Sequence, residues 1–355
     1  MNFITLVKAF AVCLCSLATL MVLIPRLQSE TADLGKAKRP QSSESTPPGF
    51  ADRPLEIQSV AGKHFVTHQQ GTIEIPSHPK RICSLAFTDE LVALGIRPTS
   101  ASCTNGQFPD YLRKRLQNVV GINQMMGVGQ PDFETIVETK PDLIIASAGD
   151  PQTYRQLLKI APVVLLSGDG DNNRQRMFDL GRLLDREAEA AACIKNYDAK
   201  IRQARKLLSD ELGSQKVAFF RIFGKQFYIH GHTRGGIMLY DELKLNPPTL
   251  LDSSPKGFLL TPESLLQLDA DLIFLAVEAN QGAQRSWSQL LDHPAWERVP
   301  AVRSKRVIML PMQHHWLRPG FLAKSQMLDE IIQSCSRAEG QAKTNISINA
   351  NGVGV

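Results

Sequence analysis

The stretch QPDFETIVETKPDLIIAS, Gln130–Ser147, decides the fold. Phe133–Glu138 reads as a helical turn, Lys140-Pro141-Asp142 interrupts it, and Leu143–Ser147 is a short apolar run suited to a strand covered on both faces. A helix feeding a fully buried strand is half of a βαβ unit. The phrase returns later in the chain as Thr261-Pro262-Glu263-Ser264-Leu265 followed by Ala270-Asp271-Leu272-Ile273-Phe274. In each copy a glutamate in a short helix precedes a strand opening Asp-Leu-Ile.

Outward from the first copy the alternation continues. Arg81–Phe87 and Pro98–Cys103 read as strands around a helix at Asp89–Leu94 ended by Gly95. Tyr154–Ile160 is a helix and Pro162–Leu166 another strand. Around the second copy, Lys216–Arg221, Gln226–His230, Leu272–Ala276 and Val307–Leu310 read as strands. Gly236–Leu243 and Gly320–Ser334 read as helices. Upstream, His64–Ile75 alternates about Gln69-Gln70-Gly71 as a hairpin. Between the two sets, Asp185–Leu212 holds no Pro or Gly. Ile194, Tyr197, Ile201, Ala204 and Leu208 follow one another in steps of three and four, the spacing of one helix face. With Asp185 as cap and Gly213 as stop, this is a helix of about 27 residues, roughly 40 Å long, a strut between two lobes. The expected fold is α/β: two lobes, each a mostly parallel sheet flanked by helices, joined by a single long α-helix.

Composition agrees. The chain has 355 residues, 43% hydrophobic and 21% charged, which excludes a disordered or fibrous protein and leaves room for two cores. Net charge is 40 − 35 = +5, spread along the sequence. It argues weakly for nucleic acid, which is not expected as a partner, and suits an anionic small ligand or membrane surface. Six cysteines without a CxxC pair exclude a zinc ribbon and a thioredoxin-type site.

Ala9–Pro25 is nearly all apolar, between Lys8 and Arg26. Counted from Ile4 it has about 21 residues, enough to cross roughly 30 Å of hydrocarbon. A cleaved signal and a retained anchor both stay open, since no clean A-x-A site follows. Val12 and Leu14 before Cys13 and Cys15 argue against lipidation. Arg26, Lys36, Lys38 and Arg39 leave its orientation open. The expected organisation is 1–30 signal or anchor, 31–60 flexible tether, 61–172 N-terminal lobe, 173–212 interlobe helix, 213–337 C-terminal lobe and 338–355 disordered tail.

Together with KRICSLAFTDELVALGI (80–96) and PAWERVPAVRSKRVIML (294–310), the opening phrase resembles the periplasmic-binding-protein family for iron–siderophores and cobalamin. These are substrate-binding components of ABC importers, with two α/β lobes on one long helix. The resemblance runs from about His64 to Ser336. It implies an exported, extracytoplasmic monomer, tethered by its N-terminal segment or released from it. It also implies a ligand cleft between the lobes and one glutamate per lobe meeting arginines of the membrane permease. The matching positions are Glu134 and Glu263. The plainer reading of each is a first-turn glutamate favoured by the helix dipole; the duplicated context favours docking.

Loops after the strands supply the ligand candidates: Phe87, Thr88 and Asn105 in the first lobe, and Arg221, Tyr228, His230, Arg234, Trp316 and Arg318 in the second. A ferric siderophore brings its own iron ligands and often net negative charge, so it asks for guanidinium forks and flat aromatic faces. No metal site or cofactor of the protein's own is expected. Alternatives are a haem or cobalamin binder, with His230 and Met125 or Met126 as the haem ligands to suspect, or an anchored sensor without transport. Cys83 reads as a buried thiol, and a disulfide to Cys103 stays open. Asp89, Glu90 and His230 could be imagined as acid–base groups. Yet no G-x-S-x-G, H-E-x-x-H, G-x-G-x-x-G or P-loop occurs, and no catalytic residue is expected.

Overall fold

The computed structural model describes residues 54–124, 129–147, 149–167, 173–261, 263–310, 314–318 and 320–336. The apolar N-terminal segment, most of the tether, Met125, Met126 and the tail 338–355 lie outside the described residues. Among the described residues no helix is long and apolar enough to cross a membrane.

The chain enters through a three-stranded antiparallel sheet, β1 (Glu56–Val60), β2 (Lys63–His68) and β3 (Gly71–Ile75). The expected hairpin is β2–β3. The tether read as reaching residue 60 stops sooner, because Glu56–Val60 finds a partner edge in β2. Its pattern of mostly exposed side chains hid it from a search for alternation.

The first lobe holds β4 (Ile82–Ser84), β5 (Ser100–Cys103), β6 (Val120–Asn123), β7 (Leu143–Ser147) and β8 (Val163–Leu166), all parallel in the order β6-β5-β4-β7-β8. The second holds β9 (Val217–Phe223), β10 (Gln226–His230), β11 (Gly257–Leu260), β12 (Leu272–Val277) and β13 (Val307–Met309), ordered β11-β10-β9-β12-β13. There β9, β12 and β13 are parallel and β10 and β11 antiparallel. Among the described residues, α-helices of six or more residues are α1 (Thr88–Ala93), α2 (Phe133–Glu138), α3 (Pro151–Leu157), α4 (Asn173–Leu183), α5 (Glu187–Leu212), α6 (Gln281–Leu291) and α7 (Phe321–Ser336), and Ile237–Glu242 is a π-helix.

The repeated Asp-Leu-Ile has a structural reason. Asp142 accepts the backbone N–H groups of Lys80 and Arg81 at 2.8 and 2.9 Å, just before β4. Asp271 accepts the N–H of Lys216 at 2.8 Å, just before β9. Each aspartate ties the start of its strand to the parallel neighbour, satisfying donors that the sheet edge leaves open. The leucine and isoleucine that follow are buried between layers in both lobes.

The strut α5 has 26 residues, roughly 39 Å at 1.5 Å each. Ile194, Tyr197, Ile201, Ala204 and Leu208 form its buried face, as their spacing predicts. Gly213 ends it with φ 53. Asp185 is not its cap. It takes φ 54 in the turn after α4, and Arg186 holds the cap position without a side-chain bond. The expected single segment 173–212 is therefore two helices.

A charged clamp crosses this middle region. Arg174 of α4 donates to Asp198 of α5 at 2.6 and 2.8 Å and to Glu242 of the second lobe at 3.1 Å through two nitrogens. Arg205 Nε reaches the Glu242 carbonyl at 2.5 Å, and Lys324 of α7 lies 3.7 Å from its carboxylate. Cys83 and Cys103 are free thiols, so the open question of a disulfide is settled against it. In register Cys83 faces Ser100, three residues from Cys103. Burial pushes the Cys83 thiol up to about 11, as befits an inert core residue.

Candidate ligand-binding site

In the first lobe the chain leaves β4 one way and returns to β7 the other, so the strand order reverses between them. At such a point the loops part and open a crevice. Phe87 lies there as the cap residue of α1, with φ 64. Arg176 of α4 covers its ring, 4.8 Å from the centroid, so one aromatic face is already taken. Thr88 donates its hydroxyl to Ser84 at 2.9 Å, since the Ser84 hydroxyl is spent on the Ala86 carbonyl. Asn105 sits exposed at φ 51 in the turn bridged by Thr104 and Gln107.

Two buried carboxylates follow on α1. Glu90 is paired with Arg176, Nε to Oε1 at 3.3 Å, both nearly inaccessible. Asp89 accepts the Tyr111 hydroxyl at 2.9 Å. A side chain at Gly320 would strike its carboxylate, so the start of α7 rests directly on it. Burial, with the Glu90 charge adding, pushes the Asp89 carboxyl up to about 7; the Tyr111 hydroxyl, the Arg318 charge and the Ala323 N–H hold it from rising further.

The second lobe presents cations. Phe219, Arg221, Tyr228 and His230 share one face of the sheet, because Arg221 pairs with Tyr228 and Phe219 with His230 in the β9–β10 register. Arg221 is ion-paired with Glu278 just past β12, and its guanidinium lies 4.6 Å over the Phe223 ring. Its Nε is buried without a hydrogen-bond partner. Arg234 adopts φ 56 and turns its guanidinium inward to the Leu317 carbonyl at 2.7 Å. Burial and the charges of Arg221 and Arg318 lower its pKa. Arg318, beyond β13, is close enough to Asp89 and Tyr111 to favour their anionic forms, and its Nε is buried without a partner.

His230 is held neutral: burial and the charges of Arg221 and Arg234 push it down to about 3. Thr233 spends its hydroxyl proton on the Lys256 carbonyl at 2.9 Å, so it accepts at 3.3 Å from His230 Nδ1–H. Nε2 is left with a bare lone pair, buried and unpartnered. The site thus offers two unused guanidinium N–H groups and two unused acceptors, His230 Nε2 and Asp89 Oδ1. Its three arginines outnumber the carboxylates beside them, Glu278 and Asp89, and burial favours the neutral form of Asp89. Unpaired buried groups of this kind are costly unless a ligand meets them.

Trp316 is not part of this surface. It is 1% exposed, packed against Phe219 and Phe274 at 5.1 and 4.8 Å, with its indole N–H given to Glu330 at 2.9 Å. Any Cβ at Gly235 would collide with it, so that glycine serves close packing. Position after a strand suggested a flat binding face, while the core in fact covers both sides. His315, also bound to Glu330, is fully buried. Sequence reasoning missed Glu278 and Arg176, whose roles depend on partners distant in the chain. Three of the nine non-glycine residues with positive φ among the described residues, Phe87, Asn105 and Arg234, are ligand candidates. Held strain of that kind concentrates at binding sites.

Glu134 and Glu263 are both exposed. Glu134 is in the first turn of α2, behind the Asp132 cap, and Glu263 precedes the short 3₁₀ turn Ser264–Gln267. Its own backbone N–H and Thr261 keep Glu263 ionised by lowering its pKa.

Comparison with known proteins matches residues 84–314 to a family described as periplasmic binding protein. The achromobactin-binding periplasmic protein of Dickeya dadantii is 27% identical over 271 residues, 74% of this chain and 88% of that protein. The iron(3+)-hydroxamate-binding protein FhuD of Bacillus subtilis is 24% identical over 248 residues, 67% of this chain and 76% of that one. Staphylococcus aureus SirA, solved with staphyloferrin B, superposes with a TM-score of 0.66 at 25% identity, covering 77% of this chain and 98% of its own.

Proposed function

We propose, from the premise that the chain belongs to the periplasmic binding protein family, that it captures a ferric siderophore outside the cytoplasm and delivers it to an ABC permease. The observation that carries the reading is the group of three arginines, Arg221, Arg234 and Arg318, with two buried guanidinium N–H groups left unused. Like charges gathered in a partly desolvated place repel one another, and an anionic ligand reverses that cost. An iron already wrapped in acidic oxygens is such a ligand. The protein then contributes forks and an acceptor, His230 Nε2, and performs no bond-making chemistry. Phe87, Thr88, Asn105 and Tyr228 complete the contact surface. The ligands named for the relatives differ, so the class comes from the site's own charge.

Glu134 and Glu263 dock on basic side chains of the permease, held at fixed separation by the scaffold, which gives register and steers the encounter. Opening is a small hinge movement. An unbroken 26-residue strut and the Arg174–Asp198–Glu242 clamp both resist wide rotation. Exchanging both glutamates for lysine abolishes uptake in cells while ligand binding stays intact; normal uptake in that variant refutes the docking role. A large compaction on ligand addition in small-angle scattering refutes the limited hinge.

A further inference from the structure

The two copies of the repeated phrase align residue for residue. Glu134 precedes Asp142 by 142 − 134 = 8 positions, and Glu263 precedes Asp271 by 271 − 263 = 8. Burial repeats in the same register: Pro131 and Leu260, Ile136 and Leu265, Thr139 and Leu268, Pro141 and Ala270 are all buried. The exposed positions correspond as well, and most have changed character. Asp132 faces solvent where the second copy has Thr261, and Glu138 where it has Gln267. Two have not changed. Glutamate stands at 134 and 263, and an exposed aliphatic side chain stands at 137 and 266.

Val137 is 54% exposed and Leu266 55%. Packing therefore gives no reason to keep an apolar residue at either place. Four of the other exposed large apolar residues, Val60, Val120, Leu259 and Met309, lie on edge strands, where strand-forming residues are expected. Leu158, Phe178 and Leu207 have no exposed partner in the repeat. Val137 and Leu266 each follow their glutamate by three positions, which puts both on one face of a helical turn. Each turn is also fastened from beneath. Arg81 donates to the carbonyls of Thr139 and Lys140 at 2.5 and 2.8 Å. Lys216, in the equivalent place before β9, binds Asp269 at 2.5 Å.

We infer that Glu134 with Val137, and Glu263 with Leu266, form two equivalent docking points for a membrane protein that presents two copies of an apolar socket rimmed by basic side chains. This rests on the docking role proposed above and adds the residues that hold the complex once charge has steered it. The carboxylate sets register and encounter rate; the aliphatic knob gives a contact that salt does not screen. Duplication on two lobes calls for a partner with two like faces.

The test uses the full chain in its own cells, with radio-iron carried by the cells' iron-starved culture supernatant. The double variant Val137→Ser/Leu266→Ser is expected to cut uptake about tenfold or more, and each single variant by less. Its melting temperature and its fluorescence titration with the same supernatant iron should be unchanged. Phe178→Ser, at an exposed apolar residue outside the repeat, should leave uptake alone. Normal uptake in the Ser double variant, with uptake lost in Glu134→Lys/Glu263→Lys, overturns the knobs and leaves the glutamates standing. Normal uptake in both variants removes the docking role itself. A wild-type chain that sediments as a dimer, and a Ser variant that does not, would assign the surface to a second copy and overturn the inference.

Discussion

The two lobes share a scaffold and differ in what they do with buried charge. In the first, the cation is paid off internally: Arg176 meets Glu90 at 3.3 Å and stacks on Phe87. In the second, Arg221, Arg234 and Arg318 share Glu278 and Asp89, whose neutral form burial favours, and two of their N–H groups have no hydrogen-bond partner. The sheets diverge at the same place. The first is parallel throughout, while β10 and β11 turn back in the second and lay Tyr228 and His230 beside Arg221. One lobe pairs its buried arginine where strands end, and the other gathers the three arginines proposed to receive an anionic ligand.

The contrast is broken most sharply by removing one cation from each side. Arg176→Ala leaves Glu90 buried and unpaired and should cost about 3–5 kcal/mol in urea unfolding. Arg234→Ala should cost less than about 1 kcal/mol, because it relieves repulsion as it loses one carbonyl bond. Equal losses would erase the distinction. Affinity should run the other way. Arg221→Ala, Arg234→Ala and Arg318→Ala should each weaken binding of an anionic ferric chelate about ten- to hundredfold by calorimetry, as expected for a charged hydrogen bond. Thr88→Ala should weaken it less.

Asp89, at the seam between the lobes, gives a pH test. Its folded pKa, about 7, lies above the unfolded value of about 3.9. The folded state binds the proton more tightly, so the contribution is full below about pH 4 and is lost as pH rises through about 7. The melting temperature of the wild type should therefore fall relative to Asp89→Asn between those limits, and a flat difference would contradict it. The smallest effect concerns what the lobes share. Asp142→Ala loses two backbone bonds and Asp271→Ala one, so unfolding should cost about 1–2 and about 1 kcal/mol respectively.

Much of this was legible in the amino-acid order. Period and punctuation revealed the strut, since Ile194 to Leu208 lie on one buried stripe. The strands Leu143–Ser147 and Gln226–His230 fall where apolar runs place them. Glu56–Val60 carries no such run, and Gly257–Leu260 has only three apolar residues, too few to mark a strand without its neighbour's edge. At the site, the charge of Arg221, Arg234 and Arg318 could be read. Their shortage of partners could not, because Glu278, Asp89 and Leu317 reach them only through the fold. Trp316 shows the opposite failure: an aromatic residue in a loop looks available until Phe219 and Phe274 close over it.

That burial now makes Trp316 useful, since it touches Phe219, which stacks on His230 at 4.7 Å. The most direct measurement is a tryptophan-fluorescence titration of the wild type and an Arg221→Ala/Arg234→Ala variant with ferric staphyloferrin B, a ferric hydroxamate, haem and cobalamin. Quenching by a ferric siderophore is expected in the wild type and its loss in the variant. Tight haem binding with a Soret shift, or siderophore binding indifferent to both arginines, would contradict the proposed function.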